Sequence, residues 1–593
     1  DTFTNTGGIV QSDDITLSTR VLTNQDLTNA DGTISQGVIQ AKGAASASDA
    51  TQGALSLTAT DQLTHADTAT LEATGNLALN GQTVTLNSRV NSDQNVTVTG
   101  TNISVSGQLM AGVIATQQAG GSITTTYNDQ ANLTLNASEQ LTLNANSQIG
   151  SAGVLNLSAN TLTGTNTTLN SVGDSHLQVD EQLTLSNSQL NSQNLTIHGQ
   201  LDNSQNATRV GDVTLTDTNV QTRGNLALVA GKLSVTQSQL KGVDGNNHYG
   251  IKTNGTSDYQ LSSLALQNAG ISGQGTTQVN TTGNVDVNNS AWVVGTADTA
   301  DTTGTASSLT LTSGGKTTVT NSILAASDDL TLNTQGLTIT QSRLQAKNTL
   351  ALNVQGTSAA QAADLSQSTL VANDISITAE HLNADATQAS ATHNINLGTT
   401  RLQNVGQWVA NNDLSLTTTD DLTLNSDEYL KAGQTLSVQA NSHNLTNAGV
   451  LQGTTIEASA HTLTNTGEIA ATTLNAAHQS AANRSLNQPI HTVVNQGNVL
   501  VTNLDLALDT LTNTGGIVQS DDITLSTNHF LAQSDTRSGV IVGSEISAKQ
   551  DLTITATQSL YSQGVLAAGD DITLAGQDVT LRGSVASGVN TGD

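Results

Sequence analysis

The sequence predicts an all-β fold, a right-handed parallel β-helix (solenoid) of roughly 30 coils of about 20 residues. Three observations carry that expectation. A segment near the start of the chain recurs almost unchanged near its end. Apolar triplets recur along many stretches at steps of about 20 residues. The chain is also poor in the large side chains that a wide core needs, with 2% aromatic residues, one Pro, one Met and no Cys among 593 residues.

The long repeat sets the unit. Asp1–Thr19 and Asp509–Thr527 differ only at Phe3 against Leu511, an offset of 508 residues. That offset divides into about 26 units of roughly 19.5 residues, a length typical of solenoid repeats. Within the unit an apolar residue is followed by Thr-Asn and a Gly turn, then Ile517-Val518, then Asp-Asp, then Ile523-Thr-Leu525. Alternation of apolar and hydroxyl residues has period 2, so Ile and Leu share one face of a short strand and Thr takes the other. Asn-Thr-Gly-Gly and Ser-Asp-Asp hold residues that tolerate left-handed backbone or bond their own main chain, and they read as corners. One unit is therefore two or three short strands with tight corners and no helix.

The triplets form a ladder. It includes Ile15-Thr-Leu17, Leu55-Ser-Leu57, Leu77-Ala-Leu79, Val96-Thr-Val98, Leu309-Thr-Leu311, Leu330-Thr-Leu332, Leu350-Ala-Leu352, Ile375-Ser-Ile377 and Ile395-Asn-Leu397. The right hand follows from the general preference of parallel crossovers. Strands about 4.8 Å apart would give a continuous monomeric rod over 1–593, on the order of 140 Å long. Where the step departs from about 20, the extra residues should leave the narrow core as loops. These insertions are expected near 43–53, 241–259, 297–307, 357–364, 478–491 and 528–549; 241–259 is the most irregular and holds two of the five Tyr.

Composition excludes several classes. Apolar residues are 35% of the chain, below the usual 45–50% or so, which suits a narrow core of stacked Leu, Ile and Val. A disordered chain would not keep such triplets in register. Seventeen Lys and Arg against 47 Asp and Glu give a net charge of −30. With few scattered cations there is no basic stripe for nucleic acid, and a thin acidic coat favours solubility over side-by-side association. No apolar run reaches the 18 or so residues of a membrane span, so no membrane insertion of this segment is expected. The lack of Cys removes disulfides and is compatible with a cell-surface protein. The chain opens inside a repeat without a basic and apolar leader, which predicts a piece of something larger.

No catalytic, cofactor-binding or metal-binding residue is assigned, and no cofactor is expected. Acid pairs at Asp13-Asp14, Asp328-Asp329, Asp420-Asp421, Asp521-Asp522 and Asp570-Asp571 precede triplets. They could bind calcium or move protons, but their recurrence at one place in the unit reads as a corner, without the Gly-Gly-x-Gly-x-Asp spacing of calcium-binding β-rolls. His443 and His461 occupy matching positions in successive units; stacked imidazoles could share a metal, yet no third ligand is evident and an exposed ladder is the expectation. Trp292 and Trp408 stand alone. Because β-helices include polysaccharide-degrading enzymes, an enzyme is the leading alternative, but the register assembles no groove of acids with aromatics.

The pattern Leu-Thr-Asn-x-Gly-x-Ile appears at Leu511 and at Leu463–Ile469, is shortened at Leu445–Val450, and recurs with an extra residue at Leu27–Ile34. Together with Asp-Asp-Ile-Thr-Leu about half a coil later, it resembles filamentous haemagglutinin repeats over nearly the whole chain. Those repeats belong to large exoproteins of two-partner secretion, including adhesins and the stick proteins of contact-dependent growth inhibition. The resemblance implies a structural shaft on a Gram-negative cell surface, secreted and outer-membrane associated. It also implies an outer-membrane transporter and a receptor on a host or target bacterial cell as partners. The family's secretion domain and a carboxy-terminal toxin are not recognisable here. Receptor binding through the chain's own loops, near 241–259 or 478–491, is a second possibility.

Overall fold

The computed structural model describes residues 1–43, 52–66, 68–117, 123–200, 211–237, 250–295, 306–440, 443–476 and 491–588. Strand makes up 69% of the chain, and the described residues contain no α-helix, only a 3-10 turn at Ala359–Gln361. The fold is thus all-β, and its strands pair in parallel as a β-helix solenoid. Two compact units are formed, 1–314 and 315–593.

In the first unit the triplets stack as the period-2 pattern requires. Leu55 pairs with Leu77, Leu77 with Val96, and Val96 with Leu133. The column continues through Leu155, Ser175, Leu195 and Leu226. Each coil has three strand segments. Thr168–Ser171 is followed by Ser175–Ser186, a single bent strand whose pairing with Leu155–Thr165 slips by one residue at the bend. Inward residues alternate along it, and Leu177, Val179, Leu183 and Leu185 are buried. Each removes apolar surface worth about 1.5 to 3 kcal/mol from water.

The second unit repeats this plan. Leu330, Leu350, Ile375, Ile395 and Leu414 form one column in register, and Leu504, Ile523, Leu552 and Ile572 form its later steps. The column survives interruptions: Leu474 pairs with Leu504 although the sequence between them is longer than an ordinary coil.

Two corners are built by recurrent side chains. At one, Asn146, Asn166 and Asn187 take positive φ (69°, 51° and 50°) on consecutive coils, a conformation that Asn tolerates better than most residues. The residue after each is a buried hydroxyl, Ser147, Thr167 or Ser188, and Ser188 Oγ donates to Ser186 O at 2.8 Å. Elsewhere the Asn of Leu-Thr-Asn, and that of Val493-Val-Asn495 at the matching position, turns inward. Asn447 donates to Asn465 at 2.8 Å, Asn465 to Asn495 at 2.9 Å, and Asn495 to Asn513 at 2.8 Å. All four are buried. A shorter version in the first unit runs from Asn5 to Asn24 at 2.8 Å and on to His65.

Most of 43–53, 297–307 and 478–491, and the 241–249 part of 241–259, lie outside the described residues. The rest of 241–259 is not loop. Ile251–Thr253 and Ser257–Gln267 are strands in the ladder, because Ser257-Asp-Tyr-Gln-Leu261 alternates with period 2 and puts Tyr259 in the core. The 357–364 stretch holds the 3-10 turn and the strand Ala363–Asp364. Within 528–549 the departure from the coil is narrower than expected. Asp522–Gln533 remains strand, a hairpin pairs Asp535–Arg537 with Val540–Val542, and Glu545–Ala548 rejoins the sheet. A hairpin at the same place after the first copy of the long repeat pairs Leu27–Thr28 with Ile34–Ser35.

Candidate functional site

The acid pairs lie at coil corners, and the second Asp of several pairs reaches across to the next coil. Asp329 Oδ1 accepts from Thr349 N at 3.0 Å and Asn348 Nδ2 at 3.0 Å. Asp14 accepts from Ala54 N at 2.9 Å, and Asp421 from Asn444 N at 2.8 Å. A carboxylate that accepts a backbone N–H from the neighbouring coil ties adjacent turns together. Arg401 Nε donates to Asp420 Oδ2 at 2.8 Å, and that hydrogen bond leads the interactions that hold the exposed Asp420 carboxyl below its usual range.

His443 and His461 fall on adjacent coils, where Leu445 pairs with Leu463 and His461 N donates to His443 O at 2.7 Å. The next coil adds His491, which sequence reasoning missed because the stretch between it and His461 is longer than an ordinary coil. The ring centroids of His461 and His491 are 5.1 Å apart, with planes at 52°. His491 Nδ1 lies 2.5 Å from Asp509 Oδ2 on the following coil. Among the described residues no group of three His, Cys, Asp or Glu is arranged to hold a metal ion.

Trp292 and Trp408 are both fully buried. Trp408 Nε1 donates to Val405 O, three residues before it. Trp292 meets Tyr259 edge-on, with centroids 5.9 Å apart and planes at 82°, an arrangement that aromatic quadrupoles favour. Burial pushes the Tyr259 phenol up, well above its ordinary range. Neither Trp presents a face to a ligand.

A groove is built elsewhere, on the first unit. Its floor is one outward-facing register column, Met110, Gly150, Asn170, Asn191 and Gln221, each paired with the next. Asn191 Nδ2 donates to Asn170 Oδ1 at 2.7 Å. One wall comes from an antiparallel hairpin, Val113–Gln117 with Ile123–Tyr127, that leaves the coil at Gly112 (φ 70°). A Cβ at Gly112 would stand 2.5 Å from that of Ala131, so the turn admits no side chain. The hairpin contributes Val113 and Tyr127, the latter 61% exposed. Further along the same stack of coils the groove is bounded by Arg223, whose Nη2 donates to Ser171 O at 2.9 Å and Val172 O at 3.1 Å. The groove is open to solvent and has a volume of about 580 Å³. Sequence register could not find this groove, because Tyr127 sits on a hairpin outside the coil.

No protein-family model, no curated protein and no solved structure matches the chain.

Proposed function

We propose that the chain is the structural shaft of a secreted bacterial cell-surface filament. In this reading it is an adhesin or a contact-dependent growth inhibition toxin-delivery protein, exported by two-partner secretion through an outer-membrane transporter. The shaft projects a distal receptor-binding or toxin domain toward another cell and is not itself an enzyme. The observation that carries the reading is the coil that recurs nearly unchanged at Asp1 and Asp509, in a fold where each turn repeats the register of the last. Such repetition extends a body by stacking. The inter-coil carboxylate and Asn links supply, without disulfides, the cohesion an extracellular filament needs. The Leu-Thr-Asn-x-Gly pattern that gave the resemblance supports it further, since its Asn is the residue that links the coils.

The test is immunolabelling of intact producing cells with antibody to this chain. Surface label that disappears when the partner transporter gene is deleted is the expected result. Retention of the chain in the cytoplasm overturns the reading, and so does release of reducing sugar from a polysaccharide by the purified chain.

A further inference from the structure

We infer that the groove between Tyr127 and Arg223 is a binding site for a linear neutral oligosaccharide, lying on the face of the solenoid itself. Its floor residues belong to strands paired on both sides, so consecutive positions repeat at about 4.8 Å and the column from Met110 to Gln221 spans about 19 Å. A ligand that follows such a floor is a chain. The floor presents the side-chain amides of Asn170, Asn191 and Gln221. Each carboxamide offers a donor and an acceptor side by side, which matches a sugar hydroxyl that both gives and receives a proton. Gly150 keeps this floor low. A Cβ there would lie 2.4 Å from Met110 Sδ, so only Gly lets the Met110 side chain lie flat beside it.

The walls complete the match. Tyr127 is exposed, apolar on its ring face and polar at its hydroxyl, and a ring face takes the C–H surface of a pyranose. The Arg223 guanidinium carries five N–H donors in a planar fork, and the two carbonyls of Ser171 and Val172 engage only Nη2 and hold the fork in place.

Other ligand classes fit less well. An extended peptide adds to an open sheet edge, whereas the floor strands already have partners on both sides. A purely apolar ligand would cover the Gln221 amide and the outward polar atoms that the Asn191–Asn170 hydrogen bond leaves over, at a cost of about 1 to 3 kcal/mol for each group left unmatched. Polyanions meet one cation in the groove on a chain of net charge −30. The lining contains no carboxylate, and glycoside hydrolysis commonly uses a pair of them, so the groove binds sugar without cutting it.

The experiment uses the full chain, with saturation-transfer NMR and calorimetry against cello-, chito-, manno- and malto-oligosaccharides and against uronate oligosaccharides. At least one neutral series should bind, at least tenfold more weakly to Tyr127→Ala and to Asn191→Ala, and unchanged in Tyr561→Ala, which alters an aromatic in the other unit. Binding of no neutral series, binding of uronates alone, or affinity that survives both groove substitutions would overturn the inference. Tyr127 lies off the coil, so its variant remains informative should Asn191→Ala fail to fold by circular dichroism.

Discussion

Asn465 donates its side-chain amide to Asn495, 30 residues later, at 2.9 Å. The strands that hold them lie in register, Thr462 against Thr492, although 30 residues separate one from the other in sequence. A buried amide column of this kind is directional: each Asn gives to the next and receives from the last. Asn495→Ala removes both an acceptor for Asn465 and a donor to Asn513. With two buried amide groups unmatched at about 1 to 3 kcal/mol each, the expected loss is about 2 to 6 kcal/mol in the second unit. Hydrogen exchange of the amides of Thr492–Asn495 and Thr510–Thr514 reports it, and protection unchanged from wild type would refute the role given to the column.

His65 ends the corresponding column of the first unit. Its Nδ1 faces Asn24 Nδ2 at 3.3 Å and its Nε2 faces Arg89 O at 3.0 Å, which fits a neutral ring that accepts at Nδ1 and donates at Nε2. Burial is the main cause that lowers its pKa to about 4, against the opposing hydrogen bond to Arg89. The folded-state pKa lies below the unfolded value near 6.5, so the unfolded chain takes up the proton first as pH falls. Stability is thus retained above pH 6.5 or so and lost toward pH 4, by roughly 2 kcal/mol at pH 5. His65→Asn, which restores an amide that can pair with Asn24, should flatten this pH dependence. Urea melts of both proteins at pH 7 and pH 5 test it, and equal slopes with pH would count against a buried neutral imidazole.

The matching hairpins after the two copies of the long repeat depend on matching glycines. Gly7 and Gly515 have φ of 62° and 63°. A Cβ would stand 2.5 Å from Leu27 Cβ at the first and 2.7 Å from Asp535 Cβ at the second. Gly515→Ala adds backbone strain to this clash and should cost about 1 to 3 kcal/mol, with loss of exchange protection across Asp535–Val542. By contrast Gly539, at φ 81° in open space, should accept Asn with a change within about 0.5 kcal/mol. Equal effects of the two substitutions would mean that packing against the coil is not what fixes the hairpin.

The coil was legible because its signal is local. Leu330-Thr-Leu332 and Leu350-Ala-Leu352 show their period within three residues, and they pair in register. Burial of polar residues was not legible. Asn513 and His65 lie in the core because a partner on the next coil satisfies them, and that partner is known only once the register is known. The Asn-Ser/Thr corner at Asn187-Ser188 escaped notice because its requirement is a backbone angle. Tyr259 falls within an expected loop because the irregular composition of the preceding residues masks the short alternation around it. The groove depends on a hairpin and on Arg223 reaching back to Ser171, a contact with no trace in spacing.

Removal of one whole coil tests the repeat most directly. Leu330 pairs with Leu350 and Ile323 with Arg343, so residues 330–349 make one turn. Their deletion joins Asp329 to Leu350 at an equivalent point and brings the turn that began at Ile323 onto the strand that followed Leu350. Every inward side chain keeps its face. Because each turn contacts mainly its two neighbours, the shortened protein should retain β-type circular dichroism per residue and lose only the stability of one interface. Deleting Leu330 alone shifts its strand by one residue, which puts Thr331 in the inward place of Leu330 and turns Leu332 outward, and should unfold the second unit. If the two deletions behave alike in far-UV circular dichroism and urea melts, the coil assignment within 315–593 is wrong.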